Sequence, residues 1–403
     1  MLIIRKLRGA LWLPAGMLIL AQVGSGLRDL PQSAFFLIYL QEQLGLAPVT
    51  ISSVVAGAQM VGMVTALLGG AFTGKLGSKW TLVTGLALSG LGSLALQAPT
   101  LGLAALLWFI GGAGLALTTV GGASYLTRIG GRGGLGVLAA FYALSMTVGG
   151  ALGNPLAGVL IERYGFGLYS WSSIVVSMVL ILCVSFFMPA LPDPLPEAGA
   201  RRISWASGLA IARQTNTRMV VGLRMLATIF YGMLVVLIPL LINELSGSKA
   251  LVAAYGTTNL VVASAAQLLA GRSADRWGAR LPTLAAFSIL ILSGLGLASS
   301  AGTTAGLFGF GVLGIAAAWS LSTLMYVWVN DGISKADHPA AFGLLHAVWS
   351  LSMMTGSVLG GWLVTGGPGL PFLLGGLLNL TSIFLALVFY RRLAMQAAGL
   401  GVS

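Results

Sequence analysis

The chain has 403 residues, of which 57% are hydrophobic and only 7% are charged, and its mean hydropathy is +0.96. Soluble domains carry about 25% charged residues, so this composition excludes a soluble protein and indicates a polytopic α-helical membrane protein. The formal net charge of +12 would suit a nucleic-acid partner. However, the basic residues are distributed as expected for a membrane topology, so no nucleic-acid partner is predicted. The single cysteine, Cys183, excludes disulfides and cysteine metal clusters. A chain with only two histidines is a poor candidate for a metal enzyme, and the prediction is no metal and no cofactor.

Apolar runs of about twenty residues, long enough to cross a hydrocarbon core of ~30 Å, divide the chain into twelve predicted spans. In the first half, spans one to six are predicted at 11–40, 49–72, 80–97, 101–126, 135–160 and 168–189. In the second half, spans seven to twelve are predicted at 217–243, 250–271, 281–300, 304–329, 340–365 and 370–390. The predicted domains are therefore 1–189, a polar linker 190–216, and 217–403. The linker begins as a Pro-rich extended segment, and 201–218 is predicted to form an amphipathic helix on the membrane face.

The distribution of basic residues predicts the orientation. With the amino terminus inside, 17 of the 21 lysines and arginines fall in cytoplasmic segments, and only Arg163 and Lys249 fall in outer loops. Positive charge concentrates on the cytoplasmic side of membrane proteins. The sequence therefore predicts that both termini are cytoplasmic, in the inner membrane of a prokaryote.

A ten-residue segment recurs half a chain apart. The segments 70–79 and 271–280 align without a gap at an offset of 201 residues. Six spans followed by six spans in a parallel repeat are typical of transporters. The two copies share a glycine or a basic residue at four positions: Gly70, Lys75, Gly77 and Lys79 in the first copy, and Gly271, Arg276, Gly278 and Arg280 in the second. The second copy also has Asp275.

This pattern, G-x-x-x-D-R-x-G-x-R, resembles the loop motif of the major facilitator superfamily. The resemblance implies twelve transmembrane helices in two pseudo-symmetric six-helix halves, and transport by alternating access with the substrate between the halves. It also implies that the loop latches the halves together in one state of the cycle. The first copy departs from the motif, since Gly74 stands where Asp is usual. That departure predicts one looser latch.

Span five carries a second pattern of small residues. The stretch 149–158 resembles the exporter-associated signature of the superfamily: Gly150, Pro155 and Gly158 fit, and Asn154 replaces a glycine. Ordinary close packing of small residues is the alternative interpretation. Span four departs from many proton-coupled exporters of the family, because Trp108 stands at the position of their arginine.

Four ionisable residues lie inside the spans: Arg28, Asp29, Arg224 and His346. Such residues face the interior of the bundle or a water-filled cavity. Adjacent residues on a helix point about 100° apart, so Arg28 and Asp29 are predicted not to pair with each other. The flanking glycines and proline, Gly24, Gly26 and Pro31, predict a discontinuous first span.

Each of these residues has two interpretations. Asp29 is predicted to carry a proton or cation, or else to form a static ion pair with another helix. Arg224 either joins Arg28 in gripping an organic anion or snorkels to the membrane surface. His346 either relays protons or packs as a hydrogen-bonded side chain. A set of polar and aromatic residues is predicted to line a cavity, or else to join helices to each other. These residues are Gln59, Asn259 and Trp349, with Gln32, Tyr142, Tyr231, Gln267, Trp319, Tyr326 and Asn379.

The function predicted from the sequence is secondary active transport of a small molecule, as a monomeric, proton-linked efflux antiporter in the lipid bilayer. The alternative is an organic-anion or metabolite carrier built on Arg28 and Arg224. An intramembrane enzyme is a poorly supported third hypothesis, since no HExxH, GxSxG or paired-carboxylate motif appears. No Walker-type loop is present, so ATP is not the predicted energy source.

Overall fold

The computed structural model describes residues 12–191, 211–334 and 337–398, apart from the side chains at 12, 70–71, 130–137 and 339–340. Most of the predicted linker therefore lies outside the described residues. Long apolar runs fold as helices because a helix satisfies every backbone polar group within its own segment, as lipid requires. The helices are Trp12–Glu42, Pro48–Gly92, Leu101–Phe187, Thr215–Ser246, Lys249–Trp277, Arg280–Ser300, Thr304–Gly332, His338–Leu363 and Leu370–Ala397, with short 3-10 helices at Ser93–Gln97 and Val364–Gly366.

Ten segments of the described helices are long and apolar enough to cross a membrane. One of them, Leu138–Phe187, has 50 residues, about twice what one crossing needs. Within it, Gly165 has a left-handed φ of 82°, between the predicted spans five and six. With the helix Trp12–Glu42, which corresponds to span one, the described residues supply the twelve predicted spans. The predicted all-α, polytopic fold is confirmed.

The repeated loop motif has a left-handed glycine at the same position in both copies. Gly77 and Gly278, 201 positions apart, have φ values of 79° and 77°, in a region that glycine adopts without steric cost. In the first copy, Lys79 Nζ donates to the carbonyl oxygen of Ser185 at 2.7 Å. In the second copy, Asp275 and Arg276 are exposed. The motif is therefore a repeated turn, and its role as a latch stays a prediction; Gly70 lies outside the residues whose surroundings are described.

Contacts divide the chain into two compact units. The first unit comprises Met1–Leu46, Gly57–Glu197 and Ser248–Leu260, as far as these ranges are described. The second comprises Ala47–Ala56, Ala198–Gly247 and Val261–Ser403, with the same restriction. Each unit thus takes most of its residues from one half of the sequence. It also includes a short stretch from the other half: the start of span eight in the first unit, and the start of span two in the second.

Span one is a continuous helix that passes through Pro31, so the predicted discontinuity is wrong. The reason is that its glycines serve close packing and not a break in the helix. A Cβ atom on Gly26 would overlap the carbonyl oxygen of Met146, and one on Gly149 would overlap that of Val23. Small residues let helix backbones approach closely in membranes, and they bring span one against span five here.

Span seven packs in the same way against span eleven in the second unit, and this contact provides a stability test. A Cβ on Gly356 would overlap the carbonyl oxygen of Ile229, whereas a Cβ on Gly343, in the same helix, meets nothing within 4 Å. Gly356→Ala is expected to destabilise the protein by about 1–3 kcal/mol through overpacking. Gly343→Ala is expected to be neutral or to stabilise it by about 0.5–1 kcal/mol. Thermal unfolding in one detergent compares the two, and equal midpoints would contradict this packing.

Candidate functional site

The two charges of span one form an ion pair in the first unit. Arg28 Nε donates to Asp29 Oδ1 at 2.7 Å and Nη2 donates to Asp29 Oδ2 at 3.0 Å. The prediction that these neighbours do not pair is therefore wrong. Their Cα–Cβ bonds do diverge, but the long arginine side chain folds back to its neighbour. Leaving a charge unpaired in a low-dielectric interior costs more free energy than bending the arginine side chain back to Asp29.

The pair is embedded in the first unit. Arg28 Nη1 donates to the hydroxyl of Ser177, and the Tyr169 hydroxyl donates to the Arg28 carbonyl oxygen at 3.1 Å. The Arg28 side chain is 0% exposed and that of Asp29 is 12% exposed. Each nitrogen of the guanidinium thus donates a hydrogen bond, its charge is paired, and only the Asp29 side chain retains some exposure.

The second unit contains a cavity of about 260 Å³. It combines one cation with hydroxyl, amide and aromatic side chains. The lining residues are Arg224, Ala227, Thr228, Tyr231, Gln267, Ala318, Trp319, Ser322 and Trp349. Arg224 and Trp349 were predicted site residues, and Tyr231, Gln267 and Trp319 were predicted cavity residues, so the structure brings these five together.

Span seven supplies one wall of the cavity. Arg224, Ala227, Thr228 and Tyr231 follow one another at the spacing i, i+3, i+4, i+7, which places them on one face of a helix. This face was not recognised from the sequence, although the spacing is readable there. Ser322 was also missed, because a serine in an apolar span gives no signal of its own.

Arg224 points into the cavity and does not snorkel to the surface. Its Nη1 donates to the Ser322 hydroxyl of span ten at 2.7 Å, and Thr228 Oγ1 donates to the Arg224 carbonyl oxygen at 2.7 Å. Arg224 Nε is buried and has no hydrogen-bond partner among the described residues. One part of the guanidinium is thus fixed by the protein, and another is left without an acceptor.

Aromatic side chains form much of the remaining wall. Trp319 Nε1 donates to the Tyr231 hydroxyl at 3.1 Å, which leaves the tyrosine hydrogen free to donate to another acceptor. The ring of His346 stacks on Trp349, with centroids 5.8 Å apart and planes 24° apart. His346 therefore supports a lining residue but does not line the cavity itself.

The other predicted pathway residues lie elsewhere. Gln59 and Asn259 belong to the first unit; each has a buried side-chain oxygen without a hydrogen-bond partner among the described residues. In the span-five pattern, Asn154 packs against Gly256, and a Cβ on Gly158 would lie 2.7 Å from that of Ala253. The pattern is therefore a packing surface for the start of span eight, and its link to export stays a prediction.

The described residues contain no cluster of three or more His, Cys, Asp or Glu side chains that could hold a metal. The cavity itself offers one positive charge, several hydrogen-bonding groups and aromatic faces. Such an arrangement binds and orients a small molecule.

Comparison with solved structures gives close matches of fold. A crystal structure of a mutant of the nucleoside transporter NupG matches with a TM-score of 0.77 at 15% identity, covering 94% of this chain and 99% of that one. A POT family transporter in complex with 5-aminolevulinic acid matches with a TM-score of 0.75 at 12% identity, covering 94% and 96%. By sequence, no curated protein gives a significant match.

The family model described as Major Facilitator Superfamily matches residues 16–223 and again 220–399. The two matches together cover nearly the whole chain, one on each half, as the repeat of the loop motif predicts. The chain is thus an integral membrane protein that belongs to the major facilitator superfamily of secondary transporters.

Proposed function

We propose that this transporter carries small organic anions by alternating access, and that Arg224 binds the anionic group. The observation that carries the proposal is the position of Arg224: a cation that lines a cavity, with a buried Nε that has no acceptor among the described residues. An uncompensated charge removed from water is costly. A negatively charged ligand compensates it.

The acidic residues of the second half support this assignment. Glu244, Asp275, Asp331 and Asp337 each lie within two residues of a helix end. Arg224 lies nine residues inside its helix, which begins at Thr215. At 1.5 Å per residue, Glu244 is about 30 Å along the same helix from Arg224. The second half therefore places its own carboxylates at the ends of the helices, and Arg224 lies in the cavity away from them.

The arginine pair predicted from the sequence is reduced to one. Arg28 already binds the carboxylate of Asp29 through two nitrogens, so its charge is neutralised without a ligand. The proposal therefore depends on Arg224 alone. The similar solved structures, at 15% and 12% identity, support the fold and leave the substrate open.

Proton-linked export is proposed as the mode of transport. Its support is the span-five pattern and Asp29, the one carboxylate inside a span, which keeps 12% exposure beside a fully buried partner. The arginine common to proton-coupled exporters is replaced by Trp108, which stacks on Phe36 with centroids 4.0 Å apart. Any coupling therefore depends on another group, and we assign it to Asp29.

Transport by purified protein in proteoliposomes tests the proposed function. Small organic anions are expected to exchange across the membrane at rates well above protein-free vesicles, whereas neutral amides of the same shape are expected to stay at background. The matched amide controls for size and lipophilicity. Equal transport of the anions and their amides would contradict the proposal.

A further inference from the structure

The two intramembrane arginines are held in the same way. Arg28, on the first helix of the first half, donates from Nη1 to the hydroxyl of Ser177. Arg224, on the first helix of the second half, donates from Nη1 to the hydroxyl of Ser322. In both cases a serine of another helix fixes one end of the guanidinium, and the edge formed by Nε and Nη2 is left for a second partner.

The group bound to the Nε and Nη2 edge differs between Arg28 and Arg224. At Arg28 the edge holds the carboxylate of Asp29, with one oxygen on Nε and the other on Nη2. The residue after Arg224 is Met225, which has no acceptor of this kind. Arg224 Nε is buried without a partner among the described residues. The first half thus shows which group completes this arrangement, and the described residues of the second half supply no such group to Arg224 Nε.

We propose that the edge of Arg224 binds the carboxylate of an aromatic monocarboxylate, in the position that Asp29 takes on Arg28. The proposal rests on the function proposed above and names the class of anion. A planar guanidinium binds a carboxylate through two parallel hydrogen bonds, a geometry that adds specificity as well as energy. One arginine balances one negative charge, so a dianion would leave a charge unpaired in the cavity.

The aromatic part of the ligand is assigned from the walls. The indole nitrogen of Trp319 is already bonded to Tyr231, so Trp319 offers its apolar surface and Tyr231 offers its hydroxyl hydrogen. Trp349 is supported by the stacked ring of His346. Aromatic pairs contribute binding energy beyond the burial of their area, which favours a ring over an aliphatic chain.

The size of the cavity suits a small ligand. Its volume of about 260 Å³ lies just below the range of about 300–1,000 Å³ that is usual for small-molecule sites. We therefore assign a ligand of one or two rings. Gln267 adds an amide to the lining, which suits a polar substituent on the ring.

Met225→Asp tests the proposal, because it places a carboxylate next to Arg224 as Asp29 lies next to Arg28. The Met225 side chain is 40% exposed, so the change does not fill the core. Benzoate is the probe, and its binding to the purified full-length protein is measured by quenching of tryptophan fluorescence. Met225→Asp is expected to weaken benzoate binding by about 30-fold or more, as occupation of a charged partner implies. The isosteric control, Met225→Asn, is expected to stay within about threefold, since it adds no charge.

A ligand series on the unmodified protein provides a test that does not depend on the folding of a variant. Benzoate is expected to bind about three- to tenfold more tightly than cyclohexanecarboxylate, which lacks the aromatic ring. It is expected to bind at least about tenfold more tightly than phthalate, which carries a second charge. Benzamide is expected not to bind. Unchanged benzoate affinity in Met225→Asp, or equal affinity for the aromatic and aliphatic carboxylates, would overturn this inference while leaving an anion carrier in place. Equal binding of benzamide would overturn the proposed function as well.

Discussion

Replacing Arg224 with glutamine is expected to lower anion transport by about 100-fold. The substitution keeps a polar, hydrogen-bonding side chain, although a shorter one, and removes the charge and the planar fork. Losing one partner of a buried, hydrogen-bonded charge pair costs about 2–5 kcal/mol, and 2.8 kcal/mol corresponds to about 100-fold in affinity. Initial rates of uptake into proteoliposomes, over a range of substrate concentrations, measure the loss.

Two further variants make the Arg224 result specific. Arg224→Lys keeps the charge but cannot form the two parallel bonds, so it is expected to fall between the original protein and Arg224→Gln. Arg218→Gln removes an exposed arginine of the same helix and is expected to transport normally. If Arg224→Gln transports as well as Arg218→Gln, then Arg224 does not bind the substrate.

Asp29→Asn is expected to be among the most destabilising single substitutions in the first unit. It leaves the charge of Arg28 unpaired, and the Arg28 side chain is 0% exposed. Breaking a buried ion pair by removing one partner costs about 3–5 kcal/mol. A marked drop in the unfolding midpoint of the purified protein, with a lower yield of monodisperse material, is the expected result.

The double variant Arg28→Gln with Asp29→Asn separates structure from coupling. Removing both charges is expected to recover most of the stability, because a neutral pair leaves no uncompensated charge. If Asp29 carries the proton, this stable double variant still exchanges substrate downhill but no longer responds to an imposed pH gradient. A response equal to that of the original protein would assign Asp29 a purely structural role. If the destabilisation of the double variant equals the sum of those of the two single variants, the two charges are not coupled.

The sequence was sufficient for the architecture because its signals are local and repeated. Runs of about twenty apolar residues predict spans by length alone, and the recurrence of Gly77 at Gly278 predicts the same turn twice. Both follow from the chemistry of one segment at a time. The two family matches, one on each half, agree with that repeat.

The site could be predicted only in part, because it depends on contacts between helices. Helical geometry correctly separates the Cβ directions of Arg28 and Asp29, but it does not include the reach of a long side chain that avoids an unpaired charge. The packing role of Gly26 requires Met146 from span five, and the orientation of Arg224 requires Ser322 from span ten. None of these partners is near in sequence. The spacing of Arg224, Thr228 and Tyr231 was readable and would have indicated the cavity wall.

A structure of the protein with bound 4-bromobenzoate is the most direct test, since the anomalous signal of bromine locates the ligand without interpretation of its shape. The expected result is a carboxylate on the Nε and Nη2 atoms of Arg224, with the brominated ring among Trp319, Tyr231 and Trp349. The peak is expected to disappear in crystals of Arg224→Gln grown in the same conditions. A bromine peak that persists at the same place without Arg224, or that lies outside this cavity in the original protein, would contradict the assignment of Arg224 as the anion site.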